Sequence, residues 1–235
     1  MVKSAARKVV LFIVEGISDR NALEPIISEI VKTDQVLFEF TNGDITSDYK
    51  KNTSNNIVKT ITDIVNAYLN RRSFHVDDLL EIIQIVDTDG AFVKEPSIIH
   101  HDKNENTYED KYIYTSHPKE MWMRNIIKSN ILNKLVTQNK LAIRKKQIPY
   151  SIYYMSCNLD HVLYDERNLE KTKKVSKSLE FSDKFEDEEY RFIEFMNRFM
   201  ISKNIDYIES WKLIQHKFNS LQRYSNLWLY LKKFT

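Results

Sequence analysis

Apolar runs and apolar stripes alternate along the first two thirds of the chain. Residues 8–15 (KVVLFIVE) form a short, β-branched apolar run, the pattern of a strand buried on both faces in a parallel sheet. Ser18 or Asp19 then caps a helix that runs to about residue 31 with Leu23, Ile26, Ile27 and Ile30 on one face. Pro25 lies inside that pattern and predicts a late start or a kink. Residues 36–40 read as a second strand, closed by the turn signal Thr41-Asn42-Gly43-Asp44. Residues 55–71 carry Ile57, Ile61, Ile64, Val65 and Tyr68 at helical spacing, an amphipathic helix. Residues 79–86 form a third apolar strand that ends in Asp87-Thr88-Asp89-Gly90, and residues 91–110 are polar and aperiodic, as in a mobile loop. A helix over residues 119–142, a strand over 150–155 (YSIYYM) and a short helix over 158–164 follow.

Strand and helix thus alternate four times up to about residue 165, which argues an α/β layer built on parallel strands. The remainder differs. Residues 171–189 are dense in charges of both signs, Phe192, Phe195, Met196 and Phe199 share one helical face, and Trp211, Ile214, Phe218, Leu221 and Trp228 form another. The expected organisation is an α/β core over residues 1–165, including a basic helical segment at about 118–146, and an α-helical extension over 166–235 with its own aromatic packing.

Composition narrows the class. At 235 residues with 42% hydrophobic and 29% charged side chains, the chain can bury a core without staples and is not of the disordered type. Cys157 is the one cysteine, so no intramolecular disulfide and no cysteine-based zinc site can form, which suits a reducing cytosol. No apolar run approaches the roughly 20 residues that span a bilayer, and VVLFIV near the amino terminus is too short for a signal-peptide core. A cytoplasmic protein without membrane contact is expected. The net charge of +2 says little about partners, but only three glycines occur, Gly16, Gly43 and Gly90, which predicts that each stands where a side chain would not fit.

Two of those glycines follow acids at predicted strand ends. Glu15-Gly16 ends the first strand and Asp87-Thr88-Asp89-Gly90 the third. Sites in open parallel sheets form outside the carboxyl ends of the strands. Period-two alternation would put Asp87 and Asp89 on one face, and carboxylates that close either raise a pKa or bind a cation. Hard oxygen ligands suit Mg2+ or Mn2+, with further oxygens from water or phosphate. The bland alternative is that these acids only cap helices and form turns.

The segments VLFIVEGISDRNAL (residues 10–23) and IIQIVDTDG (82–90) together resemble the Toprim domain superfamily, found in topoisomerases, bacterial primases, a ribosomal-RNA maturation nuclease and OLD-type nucleases. The shared pattern is a hydrophobic strand ending in Glu-Gly, an Asp three residues later, and a further strand ending in Asp-x-Asp. The resemblance covers about residues 7–165 and is specific at the two motifs. It implies a Rossmann-like, parallel-stranded Toprim core with helices on both faces, extended here by the carboxyl-terminal helices. It also implies a Mg2+- or Mn2+-dependent nuclease in which Glu15 is the acid/base or metal-binding glutamate and Asp87 and Asp89 hold metal, with Gly16, Asp19 and Gly90 in support. Stand-alone Toprim proteins of bacterial defence systems, including the RloB-like group, carry an acid in a short helix after the last core strand. Asp160 stands about there as a further metal ligand, flanked by Asn158 and His161, and its alternative role is that of a helix amino-terminal acid. Family members often place a third acid two residues beyond Asp-x-Asp; here that position is Ala91, which puts a second metal in doubt.

Substrate binding needs positive charge. Lys119, Arg124, Lys128, Lys134, Lys140, Arg144, Lys145 and Lys146 supply it against the single acid Glu120 in residues 119–146. The likeness to PARIS-type effectors implies a toxin-like nuclease of anti-phage defence that acts through abortive infection on RNA such as tRNA, or on DNA, and is restrained by a partner such as an ATPase. Monomer and homodimer both remain open. The rival readings are a non-catalytic Toprim-fold binding or sensing module and a ribosomal-RNA processing nuclease. Walker A, Gly-x-Ser-x-Gly, His-Glu-x-x-His and Rossmann glycine motifs do not occur.

Overall fold

The computed structural model describes residues 9–31, 35–41 and 43–235. Lys8 and the basic residues before it lie outside the described residues, as does Asn42 of the Thr41–Asp44 turn. The chain runs β1 (Val9–Val14), α1 (Ile17–Ile30), β2 (Gln35–Phe40), α2 (Ile57–Arg72), β3 (Leu79–Asp87), β4 (Ile98–His100), β5 (Thr107–Tyr108), β6 (Ile113–Thr115) and α3 (Pro118–Val136). It continues through β7 (Lys140–Ile143), β8 (Lys146–Ser156), α4 (Leu159–Tyr164), α5 (Lys174–Asp183), α6 (Glu189–Asn197), α7 (Tyr207–Ile214), β9 (Tyr224–Ser225) and α8 (Trp228–Leu231).

The result is a mixed α/β fold around a partly parallel sheet of order β2-β1-β3-β8-β7. β2, β1, β3 and β8 are mutually parallel, while β7 and β9 pair with β8 antiparallel. All six residues of β1 are buried, and their alternation divides the core. Val10, Phe12 and Val14 face a cluster with Leu23, Ile26 and Ile27 of α1. Val9, Leu11 and Ile13 face a second cluster with Ile57, Ile61 and Val65 of α2, Leu132 of α3 and Trp211 of α7. A strand covered on both faces has no polar side to show, so its sequence reads as continuous apolar residues.

Several elements differ from the expectations. Pro25 sits within α1 and does not end it. It is exposed, whereas Leu23, Ile26 and Ile27 are anchored in the core, and that packing outweighs the roughly 3 kcal/mol intrinsic cost of proline in a helix. The expected loop over 91–110 contains β4 and β5, which join β6 in a small separate sheet of order β4-β6-β5. Helix α3 stops at Val136 rather than Ala142, because Leu141 and Ile143 are buried while Lys140 and Ala142 are exposed, the period of a strand, and β7 pairs with β8. β8 accordingly starts at Lys146, four residues before the expected strand.

Residues 166–235 carry α5 to α8 and also β9, which joins the main sheet, and aromatic side chains there pack together, with Phe185 and Phe192 at 5.5 Å between ring centroids. Those rings are continuous with the main core: Phe181, Phe185, Phe192 and Tyr230 belong to the cluster that holds Val10 and Phe12, and Tyr230 meets Phe12 edge-on at 5.7 Å. Among the described residues, no helix is long and apolar enough to cross a membrane.

Candidate functional site

The parallel strands aim their carboxyl ends at one rim of the sheet, and acids gather there. Glu15 follows β1, Asp87 closes β3, and Asp44 comes shortly after β2. The Asp87 N–H donates to Glu15 Oε1 at 3.1 Å, which ties the two strand ends together. Asp87 Oδ1 in turn accepts the N–H of Leu159, the first residue of α4, at 2.8 Å.

Asp89 does not continue the strand alternation. β3 ends at Asp87, and Asp89 has φ +46°, in the left-handed region. Its carboxylate therefore turns toward α3, where Lys128 Nζ lies 2.7 Å from Asp89 Oδ2 and 2.5 Å from Asp44 Oδ2. Lys128 has none of its side chain exposed, so it is not available to bind nucleic acid from solvent, contrary to the sequence expectation. Arg124 is likewise turned inward. It donates to the Asp89 carbonyl at 2.7 Å and to the Tyr108 hydroxyl at 3.2 Å.

The turn itself is held from three sides. The Asp89 N–H donates to the Cys157 carbonyl (2.7 Å), the Thr88 hydroxyl to the Ser220 carbonyl (2.8 Å), and Asn125 Nδ2 to the Gly90 carbonyl (3.1 Å). Gly90 has φ +65°, and a Cβ there would lie 2.7 Å from Leu221 Cδ2 and 2.8 Å from Ile113 Cδ1. Glycine is required at this point. Gly16 differs from the expectation of a sharp turn. Its backbone is extended (φ −143°), a Cβ would meet nothing closer than 3.9 Å, and it caps α1 with its N–H donating to Asp19 Oδ2 at 2.9 Å.

Burial and repulsion set the electrostatics. Burial pushes the Glu15 carboxyl well above its ordinary pKa, and the charges of Asp44 and Asp87 add to this against Lys128. Asp87 is raised by burial, then by Asp89 and Asp19. Burial would raise Asp44 too, but the adjacent Lys128 ammonium outweighs it and holds Asp44 well below the usual carboxylate range. For Lys128, burial disfavours the charge, and Asp44, Asp89 and Glu15 together keep it protonated.

A second group of charges flanks the first. Asp160, expected as a further metal ligand, lies in the first turn of α4 and pairs with Lys174 Nζ of α5 at 2.6 Å. Asn158 caps α4 by accepting the His161 N–H at 2.9 Å. His161 Nδ1 accepts the Cys157 N–H at 3.3 Å, and burial, with Arg167 and Arg223 nearby, lowers its pKa to about 4. A neutral, hydrogen-bonded ring in this setting orders the α4 entry.

The predicted basic surface divides. Lys119 is exposed on the first turn of α3. Arg144, Lys145 and Lys146 occupy the β7–β8 hairpin at the amino end of β8, whereas Met155 near its carboxyl end is the partner of Asp87. At roughly 3.3 Å per residue the hairpin is about 30 Å from the acids. Arg144 there bonds the Asn70 side chain, and Lys146 pairs with Asp77 at 3.0 Å.

The chain matches no protein-family model, no curated protein and no solved structure. Function has to be read from the rim itself.

Glu15, Asp87 and Asp89 open onto a cavity of about 740 Å³ whose lining also includes Arg167, Lys171 and Lys174. Among the described residues, neither Glu15 nor Asp87 forms an ion pair, and each has one oxygen committed to a backbone N–H. No group of three or more His, Cys, Asp or Glu side chains converges as a metal shell among the described residues. Mg2+ is commonly held by one or two carboxylates with water and substrate phosphate completing the shell, and the Glu15–Asp87 pair suits that mode. Asp89 is half-committed to Lys128, and Asp160 to Lys174. Sequence reasoning overlooked Asp44, although it follows the carboxyl end of the strand beside β1, and Lys174, which carried no local signal.

Proposed function

We propose that this chain is a Toprim-like, divalent-metal-dependent nuclease that hydrolyses phosphodiester bonds of nucleic acid. The observation that carries the reading is the Glu15–Asp87 pair: two acids without an ion-pair partner among the described residues, held at adjacent strand ends by the Asp87 N–H donating to Glu15 at 3.1 Å, and open to a polar cavity. The parallel order β2-β1-β3-β8, with helices over both faces, supports the same reading, since it puts the Glu-Gly and Asp-x-Asp motifs side by side.

A Mg2+ or Mn2+ ion held by Glu15 and Asp87 would supply Lewis acidity toward a phosphate oxygen and a bound water. Asp87 keeps its carboxylate aimed by the Leu159 N–H. Glu15, as the other carboxylate at that ion, would help orient the bound water toward the phosphate. Lys128 cancels part of the negative charge that Asp44 and Asp89 would otherwise turn on an incoming phosphate. An effector role in anti-phage defence rests on the motif resemblance alone.

Wild type, Glu15→Gln and Asp87→Ala are to be incubated with tRNA, ribosomal RNA, plasmid and single-stranded DNA, with manganese and with a chelator. Cleavage should need the metal and fall by about 10²-fold or more in either variant. Unchanged cleavage in both variants would overturn the reading.

One observation favours a non-catalytic binding module instead: Lys128 already neutralises two of the rim's carboxylates without any metal. Calorimetric titration with Mg2+ or Mn2+ separates the two, because a scaffold of that kind has no need of a cation at Glu15 and Asp87.

A further inference from the structure

The acids of the rim cannot by themselves attract a polyanion, and the rim's own cation is spent. Lys128 is fully buried between Asp44 and Asp89. The cavity's lining also carries Arg167, Lys171 and Lys174, together with the acids Glu105, Asp160 and Glu170. Lys171 is exposed and forms no ion pair among the described residues. Lys174 shares its charge with Asp160 but keeps 36% of its side chain exposed. Arg167 pairs with the exposed Asp110 at 2.7 Å, and its buried Nε has no hydrogen-bond partner among the described residues. The three cations come from one short segment, and of the acids beside them Asp160 is paired with Lys174 and Glu170 with Lys173, so a phosphate chain whose reacting unit meets a metal at Glu15 and Asp87 can set its neighbouring phosphates against that segment.

The cavity is also bridged. Asn168 holds both main-chain groups of Tyr108: it accepts the N–H at 2.8 Å and donates to the carbonyl at 2.9 Å. The Arg167–Asp110 pair lies beside this contact, and Gln222 Nε2 donates to the Asp110 carbonyl at 2.7 Å. Residues 104–108, which line the cavity, are in this way tied to the opposite wall. A volume of about 740 Å³ is in the range of small-ligand sites, about 300–1,000 Å³. It can take a nucleotide or two of a flexible strand, whereas a rigid duplex is too wide to enter it.

We propose that the cavity accepts an unpaired nucleic-acid strand and excludes intact duplex, with Arg167, Lys171 and Lys174 binding the phosphates that flank the scissile one. The proposal rests on the phosphodiesterase reading above and names its substrate class. It places substrate contact in the 167–174 segment and leaves the basic β7–β8 hairpin out of it.

The test is anisotropy binding of labelled 12-residue oligonucleotides, as single-stranded DNA, single-stranded RNA of the same sequence and blunt DNA duplex. It is done in a Glu15→Gln background with manganese, so that the strands stay uncut. Binding of either or both single strands at least tenfold more tightly than the duplex is the expected result. Lys171→Glu should weaken strand binding about tenfold and flatten the slope of log K against log salt by about 0.7, the loss of one phosphate contact. Lys145→Glu in the hairpin should change neither quantity. Asn168→Ala, which unties the bridge, should narrow the gap between strand and duplex. Duplex binding as tight as strand binding, no strand binding at low salt, or loss of binding in Lys145→Glu with Lys171→Glu unaffected would each overturn the proposal. Tight strand binding with no cleavage by manganese-loaded wild type would sink the nuclease reading instead, and equal cleavage of strand and duplex would sink only this one.

Discussion

The backbone N–H of Asp87 donates to Glu15 Oε1 at 3.1 Å, so two acids that stand 72 residues apart in the chain meet at adjacent strand ends. Both have raised pKa values, first because of burial and then because of neighbouring carboxylates. In the unfolded chain such groups titrate near 4. Below that pH they are protonated in both states and cost nothing. As pH rises through the raised folded values, the unfolded chain has already released its protons and stability is lost. In a chelator at pH 8, Glu15→Gln and Asp87→Asn should therefore melt at higher temperature than wild type, with the difference shrinking toward pH 4. Melting curves across that range check this, and a lower melting temperature for both variants at pH 8 would contradict it.

Metal should reverse that strain. If Mg2+ or Mn2+ binds Glu15 and Asp87 in the folded state only, wild type should gain about 2.7 kcal/mol at a metal concentration 100 times the Kd. Asp87→Asn should lose most of this gain and Lys145→Glu should keep it. Thermal shift against metal concentration reads the outcome directly.

Lys128 is the only positive charge within ion-pair distance of Asp44 and Asp89 among the described residues. Lys128→Met would leave those carboxylates buried and uncompensated, at a cost of about 3–5 kcal/mol. Pairing it with Asp89→Asn should restore part of the loss. Urea unfolding of the single and double variants measures both, and a Lys128→Met protein as stable as wild type would mean that the ammonium does not hold the rim together.

The two motif glycines should respond differently to alanine. Gly90→Ala faces about 1–2 kcal/mol for a left-handed backbone, and the contacts of 2.7 and 2.8 Å to Leu221 and Ile113 add to it. Gly16→Ala meets no close atom and should cost at most about 1 kcal/mol, the scale of a weakened helix cap. Denaturation midpoints of the pair decide the matter.

Much of the fold was legible from local pattern. Strand β1 and the Ile82–Val86 stretch of β3 stand out because burial on both faces favours a near-continuous apolar run, and α2 because its apolar side chains recur at helical spacing. The region around α3 and β7 was harder: Leu141 and Ile143 alternate with Lys140 and Ala142 over only four residues, too few to mark a strand until it is paired with β8. β4 and β5 are two or three residues long, too short to show any period.

By itself the sequence determined that Glu15 and Asp87 stand at strand ends, because the end of an apolar run marks where the chain leaves the core. The tertiary structure alone decided which charges meet there. Lys128 and Lys119 occupy the same basic helix and read alike, yet one is sealed between Asp44 and Asp89 while the other is exposed to solvent. A lysine's partners come from strands and turns distant in the chain, and its own neighbours in sequence carry no record of them.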